Sequence, residues 1–341
     1  MSNSVMSNSA MSNSPRPKSN FQKVQEFNRA FDMVPKEPAN YLSGEIDELG
    51  RAQIDAFIHI RPELFTDSPK IINLRLDLID EEIEELNHAI ETDDFVETRD
   101  ALADILYVVY GMADVLGINI DTLFNQNIDN EMQGPARNQI FSSIRKYSNQ
   151  DETNGKPIGL TNFDWIRVLC DNIPSYSLSE LKEGKHQTNI LEGGLEGGLE
   201  NNLIDNLTVI QGYINENYKK LETYCLSEVE KNLESFNIIG NNIYQLLKYV
   251  YAYAYLAGID ANADFAIVHS SNMSKLCDTL GDAIATVADY IEKYVAGSSP
   301  YDSPYYYELP ELGKWIVKNK STGKALKNIK YQKVDFSGNH E

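Results

Sequence analysis

Cysteine is scarce. The three in this 341-residue chain, Cys170, Cys225 and Cys277, are widely spaced and odd in number. That excludes a disulfide framework and argues against a cysteine-based zinc site, and it suits a reducing, intracellular (cytoplasmic) compartment. Positive charge is also short: 30 Lys and Arg stand against 51 Asp and Glu, a formal net charge of −21. Such a surface repels phosphate backbones and anionic lipid, so neither a nucleic-acid duplex nor a membrane is an expected partner. An anionic ligand would need metal cations as a bridge. No apolar run approaches the roughly 20 residues that span a bilayer, and the N-terminus lacks the charged-then-apolar pattern of a signal segment. No stretch sustains period-two alternation either, so the expected fold class is all-α.

What is present fits a globular protein of about two domains, with 42% hydrophobic and 24% charged residues. The pentamer repeat MSNSV MSNSA MSNSP is too polar to bury anything, which makes residues 1–20 an expected disordered tail. Helical spacing of apolar residues predicts helices over 21–34 (ending at Pro35), 44–61, about 70–91 and 95–116, the last stopped by Gly117. The third carries Ile72, Leu76, Ile79, Ile83, Leu86 and Ile90 on one stripe with acids beside it. The fourth is apolar on most faces and reads as a central bundle helix. Residues 184–202, with LEGGLEGGLE, read as a linker or loop, 296–312 as an irregular Pro, Ser and Tyr-rich insertion, and 313–336 as a basic loop.

The chain repeats itself. Residues 95–132 lie over 236–273 without a gap, so that Phe95 meets Phe236, Tyr110 meets Tyr251, Gly117 meets Gly258 and Phe124 meets Phe265. Upstream, 81–91 lies over 212–222, and EFNRAFDMVP (26–35) lies faintly over WIRVLCDNIP (165–174). Two fused helical repeats, 21–160 and 161–341, are therefore expected to pack as a homodimer would. The copies differ in a complementary way. Glu81, Glu82, Glu97, Asp100 and Asp104 become Gly212, Tyr213, Ile238, Asn241 and Gln245, and only Glu85 keeps its carboxylate, as Glu216. Conversely His269, Asn272 and Lys275 face Ile128, Glu131 and Gly134. Each copy would then hold half of one shared site.

Residues three and four apart share a helix face, which pairs Glu82 with Glu85 and aligns Glu97, Asp100 and Asp104 on the next helix. Acids so placed repel unless hard cations neutralise them, and oxygen-only ligands select Mg²⁺, with Mn²⁺ as substitute. The competing reading, a solvated helix face, suits an isolated E-E-x-x-E. It does not account for Asp104 inside the apolar run ALADILYVVYG.

These residues resemble the all-α nucleoside triphosphate pyrophosphohydrolases, which include MazG proteins, dimeric dUTPases and phosphoribosyl-ATP pyrophosphohydrolases. The signature is E-x-x-E on one helix and E-x-x-D on the next, here Glu82-Ile83-Glu84-Glu85 and Glu97-Thr98-Arg99-Asp100. DALADILYVVYG (100–111), LGINID (116–121) and VHSSNMSKL (268–276) are similar to the branch related to phosphoribosyl-ATP pyrophosphohydrolase. The resemblance implies a nucleotide substrate cleaved to monophosphate and pyrophosphate. It implies Mg²⁺ on Glu82, Glu85, Glu97 and Asp100, and Glu81 or Asp104 as base for the attacking water. His269, Asn272 and Lys275 would contact phosphate or sugar, with Lys324 and Lys327 closing over the phosphates. No single copy carries the whole pattern, so one composite site per chain is expected, within an intrachain pseudo-dimer that leaves further homo-oligomerisation open. The alternative is a catalytically decayed nucleotide-binding or assembly protein.

Overall fold

The computed structural model describes residues 18–34, 55–131, 152–153, 156–157, 160–172 and 199–337. The elements are α1 (Asn20–Ala30), α2 (Leu64–Asp67), α3 (Pro69–Glu91), α4 (Phe95–Leu116), α5 (Ile120–Glu131), the short pair β1 (Glu152–Thr153) and β2 (Lys156–Pro157), α6 (Asn162–Asn172), α7 (Leu199–Leu226), α8 (Leu233–Leu256), α9 (Ala261–Met273), α10 (Leu280–Val295), β3 (Pro304–Leu309) and β4 (Lys314–Asn319). The protein is an all-α bundle to which a β-hairpin is added. No single helix among the described residues is long and apolar enough to cross a membrane.

Local chemistry sets the helix ends. Asp94 caps α4 by accepting from the Glu97 N–H at 3.0 Å. Gly117 ends α4 at φ +75°, where an added Cβ would lie 1.8 Å from the His59 carbonyl oxygen, so only glycine fits. Gly258, its counterpart after α8, has φ +74°. The stripe predicted on α3 is buried through Ile72, Leu76, Ile79, Ile83 and Leu86, with Ile90 at its margin. The faces of α4 and α8 are buried nearly all round, and these two helices form the centre of the core.

The packing comes in matched pairs. α3 lies along α4 as α7 lies along α8; α9 packs on α4 as α5 packs on α8; α1 touches α4 and α9 as α6 touches α8 and α5. At the centre the Tyr110 and Tyr251 hydroxyls hydrogen-bond at 2.8 Å. Asn20 Nδ2 donates to Tyr251 Oη (3.1 Å) and Asn262 Oδ1 (3.1 Å), while Asn162 Nδ2 donates to Tyr110 Oη (2.9 Å) and Asp121 Oδ1 (3.0 Å). The ring contacts match as well: Tyr110 meets Phe265 edge-on at 6.1 Å, and Tyr251 meets Phe124 at 6.4 Å.

These contacts change the register expected upstream. Ser19-Asn20-Phe21 makes contacts like those of Thr161-Asn162-Phe163, a correspondence three residues away from that of 26–35 with 165–174. Ser19 and Asn20, placed by composition in the N-terminal tail, are also structured: Ser19 caps α1 in a capping box with Gln22, and Asn20 is buried.

Other expectations are corrected. The first helix ends at Ala30, before Pro35, because Asp32 turns the chain at φ +52°. Of the helix expected over 44–61, residues 44–54 lie outside the described residues and 56–59 are turn. So do residues 1–17 of the tail and 184–198 of the glycine-rich stretch, while 199–202 begin α7. The segments expected to be irregular or loop-like contain an antiparallel hairpin, Pro304–Leu309 with Lys314–Asn319. Its strand alternation is blurred because β4 is covered on both sides, by α10 and by the end of α1. Tyr307 Oη donates to Asp32 Oδ2 at 2.6 Å and Lys318 Nζ to the Phe31 carbonyl at 2.8 Å, which ties the hairpin to the end of α1.

Candidate active site

Because Ile79, Ile83 and Leu86 must face the core, Glu82 falls at the edge of the α3–α4 interface, while Glu81 and Glu85 fall outside it. On α4 the same logic exposes Glu97, half-buries Asp100 and brings Asp104 into the interface. The electrostatics record the crowding. Burial, then Asp104, Glu85, Glu81 and Asp100, pushes the Glu82 carboxyl up to about 8. Burial, then Glu97 and Glu85, lifts Asp100 to about 6. Burial, then Asp100 and Glu85, lifts Asp104 to about 7, against an opposing pull from Lys275. Glu85 is raised too, by burial and by Glu97 and Glu81, and shares a hydrogen bond with Glu82 that works the other way.

The donor set is carboxylate oxygen throughout. Asp100 Oδ1 is buried without a hydrogen-bond partner, which is the condition of a ligand atom awaiting a cation. Among the described residues, no three His, Cys, Asp or Glu side chains converge on a common point as they stand. Glu81, Glu85 and Glu97 are surface side chains. The residues fit a hard divalent cation in the chemistry of the donor set alone.

The second half of the chain supplies the opposite wall. Arg99 of α4 holds Asp264 of α9 bidentately, at 2.9 and 2.6 Å, and both side chains are buried. Arg99 also donates to the Phe336 carbonyl at 3.3 Å and lies over the Phe336 ring at 4.7 Å. α9 is thereby clamped along α4, and His269 Nδ1 comes within 3.1 Å of Tyr107 Oη, one turn beyond Asp104. One turn on, Asn272 Oδ1 accepts from Lys275 Nζ at 2.6 Å. Burial, then Lys327 and Lys324, depress the basicity of Lys275, against an opposing pull from Asp104. The C-terminal segment carries these lysines past the site because Asn328 donates to the Ser274 and Leu276 carbonyls and Ser271 to the Gln332 carbonyl.

The phosphoribosyl-ATP pyrophosphohydrolase family matches residues 49–130. That span contains all six acids. Over a much longer span, 319 residues and 94% of each chain, the protein is 28% identical to an uncharacterized protein of Acanthamoeba polyphaga mimivirus. No solved structure matches.

The structure thus groups Glu82, Glu85, Asp100 and Asp104 electrostatically, sets Glu81 and Glu97 at their rim, and brings Lys275, Lys324 and Lys327 to the same place from distant sequence. Sequence reasoning missed Tyr107 and the inner face of α1, where Lys23, Glu26 and Phe27 approach His269 and Tyr107. Tyr107 hid in the apolar run of α4, and the only available signal was its position one turn beyond Asp104. The corresponding place in the second half is a shallow groove of about 550 Å³, lined by Glu216, Lys219, Lys220, Ile238 and Asn242 among others. There Glu216 is ion-paired with Lys220 at 2.9 Å.

Proposed function

We propose that this protein is a Mg²⁺-dependent nucleotide pyrophosphohydrolase that cleaves a nucleoside triphosphate or related nucleotide to the monophosphate and pyrophosphate, at one composite site per chain. The observation that carries the reading is the acid cluster on α3 and α4 with Lys275 in electrostatic reach of Asp104 and Lys324 and Lys327 beside Lys275, within the span and surroundings of the family match. Anionic and cationic groups brought together suit a metal-bound polyphosphate, which needs cations on one side and donors on the other. Glu82, Glu85, Glu97 and Asp100 would hold the Mg²⁺, with Mn²⁺ as substitute. Bound there, it would neutralise phosphate charge and acidify an attacking water. Asp104, raised to about 7 and so able to give up and take back its proton near neutral pH, suits the part of base in its deprotonated form, with Glu81 at the rim as the other candidate. Lys275 and the two C-terminal lysines would neutralise phosphate oxygens, and His269 and Asn272 would contact the sugar side.

The pseudo-dimer belongs to the same reading. Residues at equivalent positions meet each other (Tyr110 with Tyr251) or repeat each other's contacts (Asn20 and Asn162), as a duplicated unit packed about a two-fold would. Arg99 and Asp264 correspond to Gly240 and Leu123, which also touch: a Cβ on Gly240 would lie 2.9 Å from Leu123 Cδ2. One half retained a polar clamp over a working site and the other an apolar contact.

Pyrophosphate release from a panel of ribo- and deoxyribonucleoside triphosphates and phosphoribosyl-ATP, with Mg²⁺ and with EDTA, tests the proposal. A second reading, a nucleotide-binding protein without turnover, draws on the failure of three carboxylates to converge as they stand. Metal-dependent stoichiometric binding without pyrophosphate release would favour it.

A further inference from the structure

Lys275 Nζ only donates, so the Asn272 atom facing it at 2.6 Å is the carbonyl Oδ1. Asn272 Oδ1 is thereby engaged by Lys275, and Tyr107 Oη has one proton of its own to place. The ring is almost wholly buried, at 7% exposure, stacked on Phe265 at 5.4 Å and edge-on to Phe27 at 5.4 Å. The hydrogen-bond partner of the hydroxyl is His269 Nδ1, at 3.1 Å. If Nδ1 carried the proton, Tyr107 Oη would be the acceptor of that bond and its own hydrogen would be buried unpaired, a loss of about 1–3 kcal/mol.

We propose that Tyr107 is a positioning residue that fixes His269 as the neutral Nε2–H tautomer, so that the histidine offers a hydrogen-bond donor to an acceptor oxygen or nitrogen in the sugar or base of the substrate. The inference rests on the nucleotide reading of the site. The order along α4 supports it: Asp100 and Asp104 stand at the metal and phosphate end, and Tyr107 lies one turn further, so the group that meets His269 is beyond the phosphates. The neutral ring agrees with its surroundings. Burial, with Lys23 of α1 and Lys18 just before it, holds His269 down to about 4, although Glu26 of α1 pulls it up. A charged imidazolium would seek phosphate, whereas a neutral N–H of fixed tautomer discriminates between acceptors and donors.

The test uses the full chain. Long-range ¹H–¹⁵N NMR of its five histidines, assigned with His269→Gln, should find His269 in the Nε2–H form and unprotonated at neutral pH. In Tyr107→Phe both tautomers should be populated. With the best nucleotide of the panel, Tyr107→Phe should raise KM about fivefold to tenfold, the loss of one positioned hydrogen bond, and leave kcat within about twofold. His269→Gln, which keeps an N–H donor near the Nε2 position, should retain more affinity than His269→Ala. An Nδ1–H tautomer, a protonated ring at neutral pH, or an unchanged tautomer and KM in Tyr107→Phe would overturn the proposal. A chain that cleaves no nucleotide would count against the pyrophosphohydrolase reading alone, and the tautomer spectrum would still decide the role of Tyr107.

Discussion

The hydroxyls of Tyr110 and Tyr251 meet at 2.8 Å in the middle of the core, and each also accepts from an asparagine of the opposite half, Asn162 or Asn20. Both rings are fully buried, so the three-way contacts are closed to water and neither hydroxyl has a solvent alternative. Because the arrangement is matched, Tyr110→Phe and Tyr251→Phe should cost similar amounts, about 1–3 kcal/mol each. In urea unfolding the double variant should be less destabilised than the sum of the singles. Strict additivity would mean that the two hydroxyls do not act together.

The Arg99–Asp264 clamp makes a second prediction. Arg99→Ala leaves a buried carboxylate without its cation and should cost about 3–5 kcal/mol. Replacing both partners by apolar residues, Arg99→Met with Asp264→Leu, should recover most of that, since the equivalent Gly240–Leu123 contact is already apolar. Thermal melts would measure the stability. Turnover of the double variant would then report how far clamping α9 matters to the site independently of folding.

Stability should depend on pH in a particular direction. Glu82, Asp100 and Asp104 have folded-state values raised to about 8, 6 and 7. The folded protein therefore holds protons that the unfolded chain has released. Their contribution is fully present below pH 4 and is lost as pH rises toward about 8. In EDTA the melting temperature should fall across that window, and Mg²⁺ should flatten the fall. A metal-free protein that gains stability between pH 5 and 8 would contradict the acid cluster as described.

Metal dependence follows from the same groups. Mg²⁺ or Mn²⁺ should support pyrophosphate release and EDTA should abolish it. Glu82→Gln and Asp100→Asn should lose more than the about 10–100-fold typical of residues that only orient a metal ligand, while melting at equal or higher temperature because anion repulsion is eased. Activity that survives exhaustive chelation would sink the site.

The two halves should respond unequally. Glu85→Gln should remove most turnover, whereas Glu216→Gln should change it less than about twofold, because Glu216 is paired with Lys220 and has Ile238 and Asn242 for neighbours. Equal losses in steady-state assays of the two variants would argue for two working sites.

Sequence by itself determined the helical bundle, the bounds of α3 and α4, the glycine stop at Gly117 and the acids beside the apolar stripe of α3. All of these follow from period-3.6 burial and local capping, which act over neighbouring residues. It also held the likeness between 95–132 and 236–273, whose helices α4 and α8 are both buried nearly all round. Only tertiary structure decided what the polar residues do. The register of α1 against α6 rests on Asn20 and Asn162 reaching hydroxyls more than 50 residues away, and the hairpin is specified by burial from both sides instead of by alternation. Tyr107, an apolar residue by its neighbours, became a polar contact because the Arg99–Asp264 clamp set His269 against it. Long-range pairing of this kind leaves no period in the chain, since the partners are fixed by which helix faces which.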